Sequence, residues 1–176
     1  MKTTKFLIAS AILLLSSISV YSQTVLKSYK IGHSFNISVP DYMSRTIGLN
    51  EAAAVQYKNE VKEVYSFVIE DNKEELVLGD LIFSSVTEFY ETFIKDFAKD
   101  EKERELSKSK TSKKGNVNFI EAELTYFDPE TQIRIYYLVG VAETPTSYYK
   151  VISWTVAESK DKFKEDFRKI LYSVND

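Results

Sequence analysis

The sequence predicts an α+β domain, an antiparallel sheet of about six to seven strands with helices on both of its faces. Three observations carry that prediction. Asn116 to Ala157 reads as three alternating apolar and polar runs separated by turn residues, the pattern of a meander. Two segments, one after Ser84 and one at the C-terminus, repeat apolar residues at helical spacing. The meander is also apolar on both faces over part of its length, and such a sheet needs cover on each side.

The chain begins with a leader pattern. Lys2 and Lys5 precede an uncharged apolar run, Phe6 to Leu15, and serines lead to Val20-Tyr21-Ser22. This order predicts a secretory signal peptide over 1–22, cut between Ser22 and Gln23, and a secreted or periplasmic protein with one domain over 23–176. A spanning helix needs about 20 mostly apolar residues. Here Ser10, Ser16, Ser17, Ser19, Ser22, Gln23 and Thr24 interrupt the run, so no stable membrane span is expected after cleavage. A lipoprotein would need a cysteine at the cut, and the chain has none.

Strands are expected near Val25–Ile31 and Phe35–Val39, joined by Gly32-His33-Ser34, with Pro40 ending the second. Two more are expected near Ala53–Lys58 and Val64–Glu70, followed by a polar connector over Asp71–Asp80. Ser85-Val86-Thr87-Glu88 fits a capping box, in which hydroxyl and carboxylate each satisfy an orphan backbone donor. The helix it opens carries Val86, Phe89, Tyr90, Phe93, Ile94, Phe97 and Ala98 on one stripe. Lys108–Lys114, with four lysines and no acid, reads as a solvated loop or a lysine-blunted edge strand.

In the meander, Asp128-Pro129-Glu130-Thr131 is turn chemistry. Pairing Phe127 with Gln132 sets Leu124 opposite Ile135, Ala122 opposite Tyr137 and Ile120 opposite Val139. Pairing Glu143 with Tyr148 then sets Ile152, Trp154 and Val156 beside Val139, Tyr137 and Ile135. A one-residue slip would turn every side chain over, so three consistent layers support this arrangement. From about Ser159 a last helix carries Phe163, Phe167, Ile170, Leu171 and Val174 on one face.

Composition excludes several chemistries. A net charge of −3, made more acidic by loss of Lys2 and Lys5, argues against nucleic acid or an anionic membrane as ligand. With no cysteine, the core must hold the fold without disulfides, and 44% hydrophobic with 14% aromatic content suffices for that. The single histidine, His33, cannot build a triad with its neighbour Ser34 or a transition-metal site. Asp71, Asn72, Glu74, Glu75 and Asp80 lack the spacing of a calcium loop, and the five glycines form no phosphate-binding fingerprint. No cofactor is expected.

Ser34-Phe35-Asn36-Ile37-Ser38-Val39-Pro40 resembles the strand-then-proline opening of the PsbP-like superfamily. That group includes a lumenal photosystem subunit, a Ran-binding nuclear import factor and many bacterial envelope proteins. The ending is similar too: Tyr149 to Trp154 as last strand and Phe163 to Val174 as last helix. The resemblance implies an antiparallel sheet sandwiched by helices and a non-catalytic adaptor or binding role. It carries over no functional residue.

One constellation of side chains remains. The expected register places Glu123 opposite Tyr136, Thr125 opposite Arg134 and Thr155 beside Tyr136, with Glu121 on the same sheet face. Glu121, Glu123, Arg134, Tyr136 and Thr155 thus form a candidate ligand-binding face, suited by planar hydrogen bonding and stacking to an anionic or sugar ligand. The alternative is an ordinary solvated face of cross-strand pairs. Function is accordingly expected to be that of a non-catalytic binding protein of the bacterial envelope or secretome, whose partner is an unidentified protein, peptide or glycan. A carboxylate-dependent hydrolase using Glu121 and Glu123 is the competing expectation.

Overall fold

The structure is a computed structural model describing residues 24–176. The expected leader and its cut between Ser22 and Gln23 lie outside these residues. A hairpin of β1 (Leu26–Ile31) and β2 (Phe35–Pro40) comes first, then β3 (Ser44–Arg45), β4 (Val55–Asn59) and β5 (Val64–Asn72). Helices α1 (Lys73–Leu78) and α2 (Val86–Asp96) follow, then β6 (Lys102–Leu106) and β7 (Lys110–Lys114). The chain ends with β8 (Val117–Asp128), β9 (Ile133–Glu143), β10 (Ser147–Val156) and helix α3 (Lys160–Leu171).

Eight strands make one antiparallel sheet in the order β3-β4-β5-β10-β9-β8-β6, with β7 also on β8. The sheet differs from the expected six to seven strands in two ways: β1 and β2 form a two-stranded sheet of their own, and the short edge pieces β3, β6 and β7, whose polar sequences carry little period-two signal, are added. Helix α2 covers one face, burying Val86, Phe89, Tyr90 and Ile94 against Ile120, Leu124, Val139 and Ile152. Helix α3 and the β1–β2 hairpin cover the other, where Phe163, Phe167, Ile170 and Leu171 meet Phe119, Leu138, Tyr149 and Val151. Each such side chain contributes about 1.5–3 kcal/mol by leaving water.

Helix starts follow the expected chemistry closely. The Ser85 hydroxyl accepts from the Glu88 amide at 3.2 Å, while the Glu88 carboxylate reaches back one residue further than expected, to the amide and hydroxyl of Ser84. The connector after β5 differs more. Asn72 caps a helix there, its side-chain oxygen accepting from the amides of Glu74 and Glu75.

Two corrections apply to the meander. The β9–β10 register is as expected, with Tyr148 opposite Glu143 and Trp154 opposite Tyr137. The β8–β9 register differs by two residues: Leu124 pairs with Tyr137, Ala122 with Val139 and Ile120 with Val141. Asp128 is the reason. It pairs with Ile133 and turns its carboxylate inward to accept from Glu130 and Thr131, while Gln132 takes a left-handed φ of 58° that removes it from the strand. An even shift preserves the faces, so the two-layer arrangement is unaffected.

At Gly140 the Leu171 side chain of α3 packs directly on the sheet backbone. A Cβ there would lie 2.4 Å from Leu171 Cδ2 and 3.2 Å from the Ile120 carbonyl oxygen. Gly140→Val is therefore expected to cost about 1–3 kcal/mol by overpacking. Urea unfolding of Gly140→Val, Leu171→Ala and the double variant measures the coupling, which should be favourable in the pair because Leu171→Ala vacates the clashing volume.

Candidate functional site

The five residues of the expected ligand face do not form one open surface. Glu121, Tyr136 and Thr155 are 4%, 0% and 1% exposed, because α3 lies across them. The register places Thr125, not Glu123, opposite Tyr136, and Phe127, not Thr125, opposite Arg134. Glu123 instead faces Leu138, and only the Thr155–Tyr136 pair is as expected. Arg134 turns to the edge strand β6, where it pairs with the Glu103 carboxylate.

Arg168 of α3 ties the two carboxylates together. Its Nε donates to Glu121 at 2.9 Å, its Nη2 to Glu123 at 3.2 Å and its Nη1 to Glu165 at 2.6 Å. Lys160 adds a 2.5 Å ion pair to Glu123 and sits 5.1 Å from the centre of the Tyr136 ring. Partial burial would raise the Glu123 pKa, but the Lys160 hydrogen bond and the Lys160 and Arg168 charges outweigh it and hold the carboxyl below its ordinary value. For Tyr136, burial and then the Glu123 charge push the hydroxyl pKa up, so it stays protonated. The cluster is built to fasten α3 to the sheet. Acid and base work would require carboxyls free to exchange a proton with a substrate, and both carboxyls here are engaged by one guanidinium.

A different surface is open, at the end of the sheet where β5 runs into α1. Helix α1 is short, and it turns its apolar residues outward. Leu76 joins the layer beneath α2, but Val77, Leu78, Leu81 and Ile82 are 54%, 86%, 52% and 74% exposed. Gly79 and Asp80 reverse the chain, Asp80 at a left-handed φ of 60°, and the Leu81 amide closes the turn on the Leu76 carbonyl at 2.9 Å. The result is an aliphatic ridge with Glu74, Glu75 and Asp80 along its sides.

Behind the ridge is a cleft of about 140 Å³ between Val77, Leu81 and Ile82 on one side and Tyr148 on the other. Its floor is rigid. The Tyr148 ring stacks on Phe89 at 4.2 Å and 6°, and Phe83 meets Phe89 edge-on at 5.0 Å. Lys73 lies 4.7 Å above the Tyr148 ring and pairs with Glu143 at 2.9 Å. Burial, then the Glu143 charge, raises the Tyr148 pKa to about 12, so its hydroxyl remains a donor, here to the Phe83 carbonyl at 3.4 Å. For Glu143, burial acts upward but hydrogen bonds from Asn118 and Lys73 prevail and keep it ionised.

A second, wider groove of about 560 Å³ lies between Ser84–Thr87 and Thr111–Lys113, with Glu143 also on its lining. The ridge and its cleft escaped the sequence reading because Asp71–Asp80 was expected to be a polar connector. The signal that could have found them is the run Leu76-Val77-Leu78 and Leu81-Ile82-Phe83 around Gly79-Asp80, too apolar for a solvated loop. Among the described residues no helix is long and apolar enough to cross a membrane.

No protein-family model matches the chain, and no curated protein matches it in sequence. Solved structures do. The solution structure of cyanobacterial PsbP from Synechocystis sp. PCC 6803 superposes with a TM-score of 0.59 at 14% identity, covering 92% of this chain and 98% of that one. The crystal structure of LpqN, involved in cell envelope biogenesis of Mycobacterium tuberculosis, gives 0.59 at 8% identity, covering 87% and 91%. Both structures superpose over most of their length and most of this chain, and the chain has the PsbP-like fold.

Proposed function

We propose that this chain is a non-catalytic binding protein of the bacterial envelope or secretome, and that it engages a protein partner through the α1 ridge. The observation that carries the reading is the contiguous exposure of Val77, Leu78, Leu81 and Ile82 beside a cleft with a rigid aromatic floor. Aliphatic groups gathered in one place are costly to leave in water and mark interaction surfaces. The cleft has room for one apolar side chain of a partner, and the acidic flanks Glu74, Glu75 and Asp80 favour a basic rim around it. Those same acids disfavour an anionic lipid surface. The envelope setting draws support from the leader pattern and from the role stated for LpqN.

The test places a photo-crosslinking residue at Leu78 in cells and compares it with the same label at Ile47, another exposed aliphatic on a different loop. A discrete protein adduct from Leu78, absent from Ile47 and lost when Ile82→Asp is added, is the expected result. Each buried aliphatic is worth about 1.5–3 kcal/mol, so Ile82→Asp should weaken the complex at least about tenfold. Thermal stability should not change, since Ile82 is 74% exposed. Adducts to lipid alone, or equal labelling from both positions, would overturn the reading.

A further inference from the structure

The basic segment Lys108–Lys114 is not absorbed by the ridge, and it has its own geometry. Among the described residues strand β7 pairs only with β8, from Lys110 opposite Glu121 to Lys114 opposite Val117, and all five of its residues are exposed. It is the most regular open edge of the large sheet. At the opposite edge β3 has two residues, and β6 is broken by a register shift between Lys102 and Glu105. An open strand presents unpaired backbone donors and acceptors to any extended chain that reaches it.

Grooves flank this edge on both faces. On the α2 side is the space of about 560 Å³ lined by Thr111, Lys113 and the start of α2. On the α3 side is a second, about 250 Å³, lined by Lys108, Lys110, Glu121, Glu123 and Arg168. The side chains of a strand point alternately to the two faces, so a strand laid beside β7 would send successive side chains into one groove and then the other.

Charge decides which chain fits. The protein as a whole is acidic, yet Lys108, Lys110, Lys113 and Lys114 gather here, and none of them makes an ion pair among the described residues. In the α3-side groove the carboxylates are already engaged, Glu121 by Arg168 and Glu123 by Arg168 and Lys160, which leaves Lys108 and Lys110 without an acidic partner there. The α2-side groove has Lys113, and the acid on its lining, Glu143, is engaged by Lys73 and Asn118. A second copy of β7 would bring like charges together, which is how lysines protect an edge. An acidic strand would meet the opposite condition, and acids at alternate positions would all lie on one face, the α3 side that holds Lys108 and Lys110.

We propose that β7 is a strand-addition site for an extended peptide segment with Asp or Glu at alternate positions. The main-chain ladder supplies the alignment, and the lysines select the acidic sequence. This site is separate from the α1 ridge and does not depend on it.

The probe is a short capped peptide of alternating Thr and Glu, titrated into the isotope-labelled protein and followed by amide chemical shifts. Shifts should concentrate on β7 and β8, and affinity should fall as salt is raised. Lys110→Glu/Lys113→Glu should weaken binding about tenfold or more while leaving the thermal midpoint unchanged, because neither side chain is buried or paired. Leu78→Asp/Ile82→Asp should leave it intact. A version N-methylated on the edge-facing amides should fail to bind, as should the alternating Thr and Lys peptide. Shifts centred on α1, equal binding by the N-methylated peptide, or no binding by the Thr and Glu peptide would each overturn the proposal.

Discussion

Arg168→Ala is expected to lower unfolding stability by about 3 kcal/mol, because it strands a buried carboxylate rather than because it removes a surface charge. Glu121 is 4% exposed, and its Oε1 depends on Arg168 Nε at 2.9 Å, while Oε2 makes no hydrogen bond. With the guanidinium gone, that charge has no ionic partner beneath α3. Arg168→Ala/Glu121→Gln should recover more than half of the loss, since a neutral amide is far cheaper to bury than an unpaired anion. Denaturant midpoints of the three proteins decide it. If the double variant is no more stable than Arg168→Ala, packing of the arginine stem is the dominant contribution and the ion cluster is incidental.

The same cluster sets a pH dependence with a definite sign. The Glu123 carboxyl is held below its ordinary value of 4.5 despite partial burial, by the Lys160 hydrogen bond and the Lys160 and Arg168 charges. A depressed folded-state pKa gives stability that is fully present above the unfolded value and lost as pH falls through the folded one. Acid should therefore begin to destabilise the protein below about pH 4.5 and continue through the lower folded value. Lys160→Met/Arg168→Ala, which removes both cations, should flatten that part of the profile.

How far the sequence could be read depended on whether burial or local polar chemistry governed each element. The meander and both amphipathic helices were legible because a buried face forces a period, two in β8 to β10 and near 3.6 in α2 and α3. Tyr148 opposite Glu143 followed from the short Thr144–Ser147 turn. The turn at Asp128 did not, because whether Gln132 joins the strand depends on its left-handed φ and on which donors the Asp128 carboxylate accepts. Strands β6 and β7 carry no hydrophobic alternation, and β7 was foreseeable only as a lysine-rich edge. The candidate face failed for a tertiary reason. Glu121 and Glu123 look like solvated sheet residues until Arg168, some 45 positions later, brings a helix over them. Polar residues on a strand say that something satisfies them, and they do not say whether it is water, a ligand or the protein's own arginine.

The second large effect links the core to the ridge. Phe89→Ala should cost about 3–5 kcal/mol, the usual range for removing a buried aromatic ring and leaving a cavity. Phe89 is 5% exposed, stacked on Tyr148 at 4.2 Å and met edge-on by Phe83 at 5.0 Å. Those two contacts are what hold the connector down after the exposed Leu81 and Ile82. Helix α1 alone is too short to hold them, since a six-residue helix is unstable without tertiary support. Hydrogen exchange at Leu81, Ile82 and Phe83 should therefore rise in Phe89→Ala by more than the global loss accounts for, and the proposed Leu78 crosslink should weaken although every ridge side chain is still present. Phe89→Leu, which fills most of the volume without a stacking face, should restore stability more than it restores the exchange protection. Unchanged protection at Leu81–Phe83 in Phe89→Ala would mean that the Asn72 cap and the Leu81–Leu76 hydrogen bond suffice to hold the ridge, and that the aromatic floor serves the core alone.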